Sequence, residues 1–100
     1  MKAIIVEDID KASELGAIEI RRYPDAILDK SKVGEVAGLA CNCPGCGSKG
    51  YIPIHKKGEA KPHNHSWQLV RLDPITIHPS VNCTGCCEWH GWLKKGEWIK

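Results

Sequence analysis

All six cysteines of this chain fall in two tight groups, CNCPGC at 41–46 and CTGCC at 83–87, and residues 1–40 contain none. A disulfide-stapled secreted scaffold spreads its cysteines along the chain and follows a signal peptide. Here the N-terminus offers only the short apolar run Ile4–Val6, broken by Glu7 and Asp8. That is too short for a signal core, and no segment approaches the length of a membrane span. The pattern therefore predicts a soluble cytoplasmic protein, with no membrane partner, whose clustered thiols are metal ligands.

A metal also supplies what so short a chain lacks. One hundred residues predict a single domain, 1–100, whose hydrophobic core is thin. Phe is absent, and four Trp carry most of the large apolar bulk. Small domains of this kind gain from a staple. The expected metal is Zn2+, which takes four tetrahedral ligands in a structural site. Cys43-Pro44-Gly45-Cys46-Gly47 has the form of a zinc knuckle: two intervening residues let both sulfurs reach one ion, and the glycines let backbone amides face the thiolates. Two further pairs have suitable spacing, Cys83 with Cys86 and Cys87 with His90. Cys41 is surplus under either pairing. A thioredoxin-like redox pair is the competing reading of CPGC, but no βαβ pattern surrounds it. An iron–sulfur centre fits less well in so small a chain with a candidate His ligand.

The pattern along the chain is mostly β. Residues 7–15 place Ile9, Ala12 and Leu15 at helical spacing before Gly16, which predicts a short helix. Residues 17–22 alternate briefly as a strand, and 23–35 read as irregular. From residue 36 the chain predicts hairpins. Residues 36–40 enter the first Cys cluster and 50–54 leave it, so the knuckle forms a hairpin tip. Residues 55–66 form a polar loop containing His63 and His65. Residues 67–72 form a strand with Trp67, Leu69 and Arg71 on one face. Asp73-Pro74 turns into a strand at 75–78. At the end, Trp92-Leu93 and Trp98-Ile99 flank a turn at Gly96, expected as a three-residue loop with a bulge. The predicted fold is a small β-rich zinc-binding domain of zinc-ribbon-like hairpins, with a β core at 36–100 and a short helical or irregular N-terminal segment at 1–35.

Charge narrows the partners. Fourteen Lys and Arg face twelve Asp and Glu, a formal net charge of +2. A nucleic-acid binder concentrates far more basic charge on one face. A nucleic-acid-binding zinc ribbon is therefore the weakest function class, and a protein partner fits better.

Ordered motifs then point to a family. CxCPGCG spans Cys41–Gly47, Trp67 opens a strand, PxxxHPSVN spans Pro74–Asn82, and C-x-x-H-G-W-L-x-x-G-x-W spans Cys87–Trp98. This order resembles a family of small phage and prophage proteins of unknown function, many of them labelled ammonia monooxygenase. It is also similar to a bacterial sister group encoded beside ubiquitin-like conjugation enzymes, whose members are held to be serine-dependent peptidases that process or remove the ubiquitin-like protein. The resemblance covers residues 36–100. It implies pairing of the knuckle with the C-x-x-H element, hence Cys43, Cys46, Cys87 and His90 as ligands, with Cys83 the leading substitute and Cys86 and Cys41 further alternates. The closing motif is nearer the phage branch, which implies a zinc-binding accessory protein without chemistry, working in the host cytoplasm. His78-Pro79-Ser80 is nearer the sister group, which implies a peptidase and a ubiquitin-like partner.

A peptidase would use Ser80. A serine nucleophile needs a base within hydrogen-bond reach. His78, two residues away, shares a face with Ser80 on an extended backbone and is the first candidate; His63, His65 and His90 are the others. His90 serves as base only where it does not bind zinc. Asp73 or Glu88 could orient an imidazole. The plainer expectation for Ser80 is a turn residue whose hydroxyl bonds nearby backbone.

Overall fold

A computed structural model describes residues 1–59, 65–83 and 86–100. Among the described residues, nine short strands make two sheets, and helix is confined to two 3-10 turns, Ile9–Lys11 and Lys30–Lys32. The larger sheet follows chain order: β1 (Ile4–Ile5), β2 (Ala17–Arg22), β3 (Val36–Asn42), β4 (Lys49–His55), β5 (Trp67–Leu72) and β6 (Ile75–His78). It curls, with parallel pairing at β1/β2 and β4/β5 and antiparallel pairing elsewhere. The smaller antiparallel sheet is β7 (Val81–Asn82), β8 (His90–Lys94) and β9 (Glu97–Ile99). Among the described residues no helix is long and apolar enough to cross a membrane.

The core follows from strand alternation. Residues at i and i+2 share a face, so Leu39 and Cys41 of β3, Ile52 and Ile54 of β4, and Ile75 and Ile77 of β6 point into one cluster. Leu93, Trp89 and Trp98 close that cluster from the second sheet. The opposite face of β2 and β3 carries a smaller cluster of Ala17, Ala40 and Ile9. With both faces covered, β3 is buried continuously from Gly38 to Asn42. Central strands buried on both sides lose the polar half of their alternation.

Residues 1–35 are built into this frame. β2 pairs along β3 from Ile18↔Cys41 to Arg22↔Val36. The Trp98 indole donates to the Gly16 carbonyl at 2.8 Å. The buried Asn42 amide donates to the carbonyls of Ala12 and Glu14 at 3.1 and 3.0 Å. The helix expected over 7–15 is instead one 3-10 turn, capped by the Asp8 carboxylate on the Asp10 amide. A helix of nine residues barely repays its nucleation. Here Ile9 is buried as a turn residue, while Leu15 is left exposed.

Two other local expectations change. The closing hairpin pairs Lys94 with Glu97, which leaves a two-residue turn, Lys95-Gly96. Both turn residues have positive φ, 52° and 76°, as a turn matched to strand twist requires. In β5 the register shifts between Leu69 and Arg71. Trp67 and Leu69 pack on the core, whereas Arg71 turns out to bond the Asp73 carbonyl.

Candidate functional site

The β3–β4 hairpin carries CPGC at its tip, as its sequence predicts: Asn42 pairs with Lys49, and Cys43–Ser48 make the turn. The Cys43 amide donates to the Ser48 carbonyl at 2.8 Å, and the Gly47 amide to the Cys43 carbonyl at 2.9 Å. The Gly45 amide faces Cys43 Sγ at 3.3 Å. Against this tip lies the segment that precedes β8. The result is a group of four thiols, Cys43, Cys46, Cys86 and Cys87, whose sulfurs all lie within 4.8 Å of one another. Cys43 Sγ is 3.5 Å from Cys87 Sγ and 3.8 Å from Cys86 Sγ, and Cys86 and Cys87 are 4.0 Å apart. A tetrahedral zinc with Zn–S bonds of about 2.3 Å has sulfur–sulfur edges of about 3.8 Å. Four cysteines at this spacing can hold one metal ion.

The surroundings favour thiolate at Cys43 and Cys46, whereas burial and those two neighbours push the Cys86 and Cys87 thiols up. Burial opposes ionisation of Cys43, but hydrogen bonds from Cys83, from the Cys46 and Gly45 amides and from Cys87 outweigh it and bring the thiol down to about 6. Cys41 lies behind the group on β3, where burial, with a smaller push from Cys43, raises it to about 11. Cys83 packs half-buried against the core, with its amide on the Trp89 carbonyl at 2.8 Å.

Gly45 makes the close approach possible. A Cβ there would stand 2.7 Å from Cys87 Sγ and 3.0 Å from Trp89 Cβ. Gly45→Ala should therefore push the two cysteine segments apart. The expected result is a metal affinity lowered by at least tenfold, read by competition with a colorimetric chelator. An unchanged affinity would show that the knuckle tolerates the displacement.

His90 is not among the four. It opens β8, whose burial alternates strictly: Gly91 and Leu93 point inward, while His90, Trp92 and Lys94 point outward. β7 pairs with β8 through Asn82↔His90, and directly opposed residues share a face. Ser80 precedes Asn82 by two and reaches the same side. Its Oγ lies 2.9 Å from His90 Nε2. The Ser80 hydroxyl thus meets an imidazole, where a plain turn residue would bond neighbouring backbone. The Ser80 carbonyl accepts the Trp67 indole N–H at 3.0 Å, which fixes the backbone that carries the hydroxyl. The His90 ring also stacks on Trp92, centroids 5.9 Å apart at 29°.

The other sequence candidates lie elsewhere. His78 ends β6, exposed and paired across the sheet with Gln68. His65 is exposed, and His63 lies outside the described residues. Glu88 is exposed at positive φ, 62°.

A serine whose hydroxyl meets a histidine beside a cysteine cluster narrows the comparison with known proteins. Residues 16–100 match the family of the bacterial ubiquitination-like system serine protease, BubE. The chain belongs to the BubE family. No curated protein and no solved structure matches it.

Two Ser–His contacts occur among the described residues, and they differ in exposure. His55 Nδ1 and Ser66 Oγ also meet, at 2.7 Å, in a pair that sequence reading did not single out. Both are buried, at 9% and 6% exposure, where β4 ends and β5 begins. That pair fastens the start of β5, and so Trp67. Ser80 is half-buried beside an exposed His90.

Proposed function

We propose that this chain is a serine peptidase that cleaves the bond joining a ubiquitin-like protein to its target or precursor, with Ser80 as nucleophile and His90 as general base. The observation that carries this reading is the 2.9 Å contact between Ser80 Oγ and His90 Nε2 in a chain of the BubE family. With its proton on Nδ1, the imidazole accepts the Ser80 O–H at Nε2. Oγ attacks the scissile carbonyl carbon as that proton passes to Nε2. The resulting imidazolium then protonates the leaving amine, the C–N bond breaks, and the acyl group stays on Ser80. Water, deprotonated by the same nitrogen, releases it and restores the hydroxyl. His78, exposed at the end of β6 opposite Gln68, is not the base in this reading.

Cys43, Cys46, Cys86 and Cys87 would hold a zinc ion. Four thiolates close the coordination shell, so such an ion supplies folding energy and no activated water. Cys87 lies three residues before His90, and the cluster therefore anchors the segment that delivers the base. The ubiquitin-like partner follows from membership of a family of serine proteases of bacterial ubiquitination-like systems, and a protein substrate agrees with a site this open.

A fluorophosphonate probe tests the reading directly. Zinc-loaded, folded protein should be labelled at one site, which peptide mapping places on Ser80, and Ser80→Ala should not be labelled. Absence of labelling in the folded wild type would overturn the peptidase in favour of a zinc-stabilised binding protein without chemistry.

A further inference from the structure

The outward faces of three strands meet in a groove beside the Ser80–His90 pair. Gln68 and Val70 come from β5, Thr76 and His78 from β6, and Trp92 and Lys94 from β8, and Lys57 also lines it. Alternation along β8 puts His90, Trp92 and Lys94 in one row on its outward side. That row runs from the imidazole to Lys94, and its Trp92 and Lys94 line the groove. Two of its apolar side chains are left open to solvent, Trp92 at 45% and Val70 at 54%. An open Trp next to a reactive pair is the kind of group that anchors a bound chain.

Among the described residues, the charged side chains that line the groove are lysines. Lys57 and Lys94 line it, and neither takes part in an ion pair among the described residues. By contrast Lys32, Lys56 and Arg21 each hold a glutamate. Among the described residues no Asp or Glu lines the groove itself, and the nearest acid by strand pairing is Glu97, opposite Lys94. Lys94 follows His90 by four residues, which in an extended strand is about 13 Å. An extended peptide lying beside β8 covers that span with about four residues.

We propose that this groove binds the substrate chain next to the scissile bond, and that it selects a stretch carrying a carboxylate side chain three or four residues from that bond. The inference rests on the peptidase reading above and adds to it which chain chemistry is taken. Trp92 supplies an apolar platform close to the scissile bond. The lysines receive the acidic side chain beyond it. His78, already in the groove wall, acts in binding.

The test uses the full zinc-loaded chain and a set of fluorogenic peptide amides that differ only three and four residues from the cleaved bond, on either side of it, carrying Glu, Gln or Lys. One peptide of the set should be preferred with Glu over Gln by about two- to fivefold in kcat/KM at low salt, as partly exposed charge pairs give. The preference should shrink as salt rises toward 1 M, where screening acts within about 3 Å. Lys94→Glu should reverse the order, so that the Lys peptide is cleaved faster than the Glu peptide by the same variant. Lys57→Glu supplies a second reversal should the first variant lose its zinc or its near-UV tryptophan signal. Equal rates for Glu, Gln and Lys peptides in a wild type that is labelled at Ser80 would overturn the groove assignment alone. A wild type that neither cleaves nor is labelled would overturn the peptidase reading and this inference with it.

Discussion

His90→Ala should lose about a thousandfold or more in kcat and keep its metal. General-base assistance is worth about 10²–10⁴-fold, and a nucleophile without its base loses most of its reactivity. Ser80→Ala should lose as much. The double variant should be no worse than either single one, because a nucleophile and its base act as a unit. Metal content is the second arm of the experiment. The sulfur group comprises Cys43, Cys46, Cys86 and Cys87, while the His90 ring faces Ser80. His90→Ala should thus retain about one metal ion per chain, whereas Cys86→Ser should lose much of its affinity. If His90→Ala sheds its metal and Cys86→Ser does not, His90 is a ligand and cannot be the base. Retained cleavage in His90→Ala would point to another base, with His78 next in line.

The parts of the fold legible in the sequence are those written in short-range pattern. The Cys43–Ser48 tip, the Asp73-Pro74 turn and the Lys95-Gly96 turn each lie between runs of alternating apolar residues, and each joins two paired strands. The turn type at the last hairpin was not legible, because it depends on Lys95 accepting positive φ against its usual preference. The helical spacing of Ile9, Ala12 and Leu15 misled for a related reason: burial of Ile9 and the pull of β2 onto β3 outweigh the propensity of so short a segment.

The site divides along the same line. The CPGC tip is local, and its geometry follows from spacing. The choice among Cys83, Cys86, Cys87 and His90 depends on how the chain turns before β8, where Glu88 takes a positive φ of 62°. No residue type announces that turn. The partner of Ser80 depends on the Asn82↔His90 pairing, which joins segments whose sequence does not state their register. Four histidines were candidates on sequence; strand pairing selects one of them for contact with Ser80.

Removing the metal should cost the protein both its tertiary structure and its Ser80 reactivity. A structural zinc contributes about 10–16 kcal/mol of apparent binding energy in small peptides, against a net domain stability of about 5–15 kcal/mol. Little else holds the second cysteine segment. Cys46, Cys86 and Cys87 are exposed, so the thiols bury almost no apolar surface of their own. Among the described residues, the segment is otherwise held at its ends, by the Cys83–Trp89 backbone bond, by core packing of Cys83 and Trp89, and by the edge-to-face contact of Trp89 with Trp98, centroids 5.7 Å apart. Such an aromatic pair contributes about 0.5–1.5 kcal/mol beyond its area, well short of the loss. Chelation, or Cys43→Ser, should therefore abolish the near-UV tryptophan signal and the cooperative melting transition. Fluorophosphonate labelling should fall with them, because Trp89 is followed directly by His90. Acidification should act in the same direction, since protons compete with the metal for the thiolates. A chain shown by metal analysis to be empty, yet keeping its near-UV spectrum and its melting temperature, would establish that the two sheets stand without the cysteine cluster.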